Sequence, residues 1–109
     1  MTYRYRVYVI DLRKDVLKEA KFRKRNPHYI PGKPCVYVGS TGKTVEERFK
    51  EHRDGVPRRH NKLAHRYGKR LRLNDMKQYR PRKSRAAIEA KECEVAESLQ
   101  AKGWAVWWN

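Results

Sequence analysis

The sequence predicts an α+β domain. Segments rich in β-branched and aromatic residues occur at Tyr3–Ile10, Cys35–Gly39 and Trp104–Trp108. Between them, apolar residues recur at helical spacing, and these stretches open at Thr44, Asn61 and Ser84, all good N-cap residues. Gly55, Gly68 and Gly103 follow the same stretches, as helix ends require.

The elements follow in order. Tyr3, Tyr5, Val7 and Val9 alternate with Arg4, Arg6, Tyr8 and Ile10, so residues 3–10 read as a strand with two distinct faces. Residues 13–34 are a basic insertion carrying eight Lys/Arg against Asp15 and Glu19. A short helix near 14–24 ends before Asn26-Pro27 and Pro31-Gly32-Lys33-Pro34. A solvated connector and a phosphate-contacting flap fit this insertion equally. Cys35–Gly39 is the second strand, and its nearness in sequence favours antiparallel pairing with the first. Thr44 with Glu47 forms a capping box that starts a helix at Val45. Asn61 caps a short helix bearing Leu63, Ala64 and Tyr67. Arg70–Leu73 reads as a third strand, residues 74–83 as a polar loop, 85–102 as the longest helix and 104–108 as the last strand.

With 109 residues and no internal repeat, the chain forms one domain spanning 1–109. Three Trp, seven Tyr and two Phe supply groups to bury and argue against disorder. The net charge of +16 points to a polyanionic partner, nucleic acid being the commonest. No run is long and apolar enough to span a membrane. Cys35 and Cys93 have no ligand spacing, and Met1 leads straight into the strand pattern, so a reduced, cytoplasmic setting is expected. His28, His60 and His65 lack zinc spacing, and Gly39–Thr44 lacks the spacer of a P-loop.

Five positions carry chemistry. Val45, Arg48, Phe49 and His52 share one helix face, so Arg48 and His52 are drawn toward the sheet that Val45 and Phe49 pack on. Cations snorkelling from the edge of such a stripe fit the same spacing. Glu92 falls inside the apolar stripe of Ile88, Val95, Ala96 and Leu99. A carboxylate there needs a partner or a metal ion, and Mg2+ suits it; Glu97 is the substitute, and a salt bridge to an arginine is the other outcome. Tyr8 and Tyr37 lie on two strands expected to be neighbours. Packing explains most strand tyrosines, but a phenol beside an arginine or a metal can move a proton.

These residues, in the order Val7-Tyr8-Val9, Tyr37-Val38-Gly39, Arg48, His52 and Glu92, resemble the GIY-YIG nuclease family over residues 5–109. The chain departs from the family pattern at Val7 and Val9, in the long connector between the two signature strands, and at Ser40, where some members carry a lysine. The resemblance implies a small antiparallel sheet of three to four strands flanked by helices, one divalent ion (Mg2+, with Mn2+ able to substitute) and hydrolysis of DNA. Tyr37 would be the general base, Tyr8 would orient water or phosphate, and Arg48 would stabilise the transition state. His52 would bond Tyr37 or assist proton movement, and Glu92 would hold the metal. Asn109 matches a terminal asparagine of some members. Lys43, Arg53, Arg23, Lys24 and Arg25 are the expected nucleic-acid contacts. The competing expectations are a non-catalytic nucleic-acid-binding module on the same scaffold and an RNA-directed basic protein.

Overall fold

Tyr8, Ile10 and Leu12 pack into one apolar cluster while Val7 and Val9 pack into another. The alternation in the first strand therefore reports a sheet covered on both faces. The computed structural model describes residues 3–57 and 60–108. Asn109 lies outside the described residues.

Strand β1 (Arg6–Leu12) leads into a 3-10 helix (Lys14–Lys18) and helix α1 (Ala20–Arg25). Strand β2 (Cys35–Thr41) follows, then α2 (Val45–Asp54) and α3 (Lys62–Tyr67). Next come β3 (Gly68–Leu71) and a single turn, α4 (Leu73–Met76). The chain then forms α5 (Arg85–Ala101) and β4 (Ala105–Trp107). The strand order is β3-β1-β2-β4.

β1 pairs antiparallel with β2, as their nearness in sequence leads one to expect, and also with β3. β4 runs parallel to β2, so the sheet is mixed rather than wholly antiparallel. The reason is α5. Its 17 residues carry the chain roughly 25 Å along one face of the sheet, which returns it to the end where β2 begins. The third strand also differs from expectation. It spans Gly68–Leu71, and the chain leaves the sheet at Arg72 (φ −90°, ψ 71°) to form α4 inside the expected loop.

The helix ends obey local capping rules. The Thr44 hydroxyl accepts from the Glu47 amide, Asn61 Oδ1 accepts from the Leu63 and Ala64 amides, and the Ser84 hydroxyl accepts from the Ala87 amide. Gly55 closes α2 at φ 66°, a left-handed conformation that favours glycine.

The basic insertion is docked rather than loose. Buried Asn26 accepts from the Val106 amide (2.7 Å) and donates to the Val106 carbonyl (3.1 Å), so it binds β4 as a further strand residue would. Phe22 and Val16 fill the core beneath it. No helix among the described residues is long and apolar enough to cross a membrane.

Candidate active site

The site forms where β2 runs past its neighbour. β4 pairs with β2 only over Cys35–Tyr37, so the stretch Val38–Thr41 has no β4 partner. At that open edge, side chains from both faces of the sheet reach one cleft of about 410 Å3. Tyr8, Tyr37, Ser40, Arg48, Arg85, Glu89 and Glu92 line it. Tyr8 and Tyr37 come from the face covered by α2, whereas Glu92 sits on α5, which covers the opposite face.

α2 supplies two of the groups. Val45 and Phe49 pack on the core, and this draws the same helix face inward. His52, one turn on from Arg48, is 0% exposed. Its Nδ1 accepts from the Asn61 backbone amide at 2.8 Å. An amide N–H can only donate, so the neutral ring carries its proton on Nε2. That nitrogen lies 2.8 Å from the Tyr8 hydroxyl and donates to it. The Tyr8 proton is thereby left to point away from His52, and the Tyr37 ring lies beside it at 6.1 Å between centroids. The expectation that His52 bonds Tyr37 is corrected here: its two ring nitrogens are taken by Tyr8 and Asn61, and Tyr37 meets the imidazole edge-on at 5.4 Å between ring centroids.

Burial, with the Arg48 guanidinium acting in the same sense, holds the His52 pKa down to about 4. His52 is thus a neutral donor at physiological pH, not a proton shuttle. Burial pushes the Tyr8 phenol well above its ordinary value, with neighbouring Tyr37 adding to the rise and Arg48 opposing it. Arg48 donates to Glu51 at 3.1 Å and lines the cleft with Tyr8 and Tyr37.

Gly39 stands opposite Tyr8 across the strand pair. A methyl group at Gly39 would run into the Cζ and hydroxyl of Tyr8 and come within 3.0 Å of Tyr37 Cε2. The glycine is therefore what lets the two phenols lie side by side.

Glu92 is 8% exposed, and burial raises its pKa; a hydrogen bond from Ser40 opposes the rise, and the charge of Glu89 adds to it. Two carboxylates one turn apart beside a hydroxyl are hard oxygen donors that a divalent cation would relieve, so the residues fit a Mg2+-type ion. Among the described residues, no group of three or more His, Cys, Asp or Glu could hold an ion. Water and substrate oxygens would complete the shell, as Mg2+ commonly prefers. Glu97 is exposed, accepts from the Cys93 thiol and does not line the cleft.

The expected nucleic-acid contacts divide into two groups. Lys43 lines a second, adjoining cleft and pairs with Glu51 at 2.5 Å. Arg53, Arg23, Lys24 and Arg25 line neither cleft. Arg53 pairs with Asp54, Arg23 bonds the Leu17 carbonyl, Lys24 is exposed, and Arg25 stacks on Trp107 and Trp108. Sequence reasoning missed Arg85 and Glu89, although 85, 88, 89 and 92 follow one helical stripe. It also missed Asn61 as the residue that sets the His52 tautomer, for which no sequence signal exists. Comparison with family models, with curated proteins and with solved structures returns no match.

Proposed function

We propose that this chain is a Mg2+-dependent endonuclease of GIY-YIG type that hydrolyses DNA phosphodiester bonds. The observation that carries the reading is the convergence of Tyr8, Tyr37, Arg48 and Glu92 on one cleft, with buried His52 bonded to Tyr8 behind it. Those five positions span residues 8–92, and no packing requirement brings a buried carboxylate, two phenols and an arginine together.

The hydrogen-bond direction supports a division of roles. His52 donates to Tyr8, which leaves the Tyr8 proton free on the side of Tyr37. In this division Tyr37, which lines the cleft with Arg48, takes the proton from the attacking water. Tyr8 stays protonated and holds Tyr37 in line. Arg48 faces the charge that builds on the non-bridging phosphate oxygens. Glu92, with Glu89 one turn away, would hold the divalent cation, which supplies phosphate charge neutralisation and help for the leaving oxygen.

Nicking of supercoiled plasmid tests the reading, run with Mg2+ and with EDTA on the wild type, Arg48→Ala and Glu92→Gln. The wild type should cut only with the metal, and each variant should lose about 10²–10³ or more in rate with an unchanged circular dichroism spectrum. Equal cutting by either folded variant removes that residue from the mechanism. Tight, salt-sensitive binding with no cleavage in Mg2+ or Mn2+ identifies the chain as a non-catalytic nucleic-acid-binding module instead.

A further inference from the structure

Two features outside the proposed chemistry flank it on either side. The first is a cleft of about 560 Å3 that shares Ser40, Arg48 and Arg85 with the candidate site. Arg4, Lys43, Arg48 and Arg85 line it against one carboxylate, Glu51, which is already paired with Lys43 and Arg48. Its field therefore attracts an anion, and it is continuous with the site. Tyr5 stands at this cleft with Arg4 and Arg85 5.0 and 5.2 Å from its ring, and its ring edge packs close to Gly42.

The second feature is on the other side. Trp107 is the cross-strand partner of Tyr37, so it lies one strand away from the site. The Arg25 guanidinium sits 4.5 Å from the Trp107 ring and 4.2 Å from the Trp108 ring, and Lys21 lies 5.7 Å from Trp107. Both tryptophans remain partly exposed. Aromatic rings interleaved with guanidinium groups form a surface on which bases stack.

A duplex cannot use such a surface. Its bases are already stacked on one another, and it offers the protein only phosphates and groove edges. We propose that the cationic cleft and the Trp107–Arg25–Trp108 stack together form a track for an unpaired nucleic-acid strand. The phosphates lie along Arg4, Lys43 and Arg85, and bases stack on the tryptophans beyond the scissile position. The substrate class is then a single strand, or a duplex with an unpaired overhang, rather than a blunt duplex. This inference rests on the nuclease reading for the position of the cut, but not for the binding itself.

The test uses Glu92→Gln protein in EDTA, so that nothing is cut. Its binding is measured by fluorescence anisotropy to a labelled strand of about 15 nucleotides and to the blunt duplex of the same sequence. Deoxyribose and ribose versions of the strand distinguish DNA from RNA, and a preference for either strand over its duplex supports the track. Strand binding should be at least about tenfold tighter than duplex binding. Adding Trp108→Ala should weaken strand binding about fivefold or more and leave duplex binding unchanged. Adding Arg4→Ala instead should flatten the salt dependence for the strand by about 0.7 in slope, the value for one lost phosphate contact. Equal affinity for strand and duplex overturns the proposal, as does a Trp108→Ala effect of the same size on both. Strand preference in a protein whose wild type cuts neither plasmid nor the labelled strand with Mg2+ or Mn2+ leaves the track standing and sinks the nuclease reading. Nicking by a protein without strand preference does the reverse.

Discussion

His52 Nε2 and the Tyr8 hydroxyl stand 2.8 Å apart inside a hydrogen-bond chain that can run in only one direction. The Asn61 amide fixes the imidazole tautomer, and the imidazole donates to Tyr8, which leaves the Tyr8 proton to point away from His52. A backbone amide at the start of α3 thus sets which way the Tyr8 hydroxyl points its proton. Protonating His52 would break the chain, because Nδ1 would then point a second hydrogen at the Asn61 N–H.

The pH dependence of stability follows from this. His52 titrates near 4 in the folded protein and near 6.5 when exposed. As pH falls, the unfolded chain takes up the proton first, so stability is complete above pH 6.5, falls between pH 6.5 and about 4, and is lost below. The full difference is about 3 kcal/mol. Urea unfolding at pH 7 and pH 4.5 should show wild type losing about 2–3 kcal/mol more than His52→Gln, whose side chain cannot take the proton. Equal losses would mean that the imidazole is not held neutral.

Glu92 has the opposite sign. Burial raises its pKa, so the folded state prefers the protonated acid and the ionised carboxylate weakens the fold near neutral pH. Glu92→Gln should therefore match or exceed wild type in Tm without metal. Millimolar Mg2+ should raise the Tm of wild type by mass action and leave that of Glu92→Gln unmoved. A Mg2+ shift of equal size in both proteins would place the cation elsewhere.

Much of the frame was legible because it rests on local rules. The Thr44–Glu47 box, the Asn61 and Ser84 caps and the left-handed Gly55 are decided within a few residues of each position. The two faces of β1 were readable from period-2 alternation, and Glu92 from a carboxylate breaking an apolar stripe. The direction of β4 was not readable, because it depends on which end of the sheet α5 reaches. The third strand was placed two residues late, because Arg70–Leu73 alternates polar and apolar residues too briefly to locate the exit at Arg72. The stacking of Arg25 on Trp107 and Trp108 was not readable either, because the two tryptophans come from the far end of the chain.

Gly39→Ala tests the geometry of the phenol pair without touching a charged group. The added methyl would collide with the end of the Tyr8 ring, where the hydroxyl meets His52. Tyr8 has no room to retreat, being 1% exposed. Overpacking of this kind typically costs about 1–3 kcal/mol. The variant should fold, lose stability in that range and lose most nicking activity, with the His52 ring resonances shifted in an NMR spectrum. Full activity would show that the tyrosine pair tolerates displacement and that its alignment is not what the site requires.

Asn26→Ala tests whether the basic insertion is part of the fold. Asn26 Nδ2 donates to the Phe22 and Val106 carbonyls, and Oδ1 accepts from the Val106 amide and from Gln100 Nε2. All four bonds are lost in the variant, and the Val106 amide and carbonyl, on a 0% exposed residue, are left without this partner. Stranding buried backbone groups costs about 1–3 kcal/mol each, partly offset where water enters. A loss of about 3 kcal/mol in urea unfolding is the expected result. The loss should be accompanied by faster proteolysis after the lysines and arginines of residues 13–34, because the insertion hangs on β4 through this side chain. If stability falls by less than about 1 kcal/mol and the cleavage pattern is unchanged, the insertion is anchored by Phe22 and Val16 in the core alone.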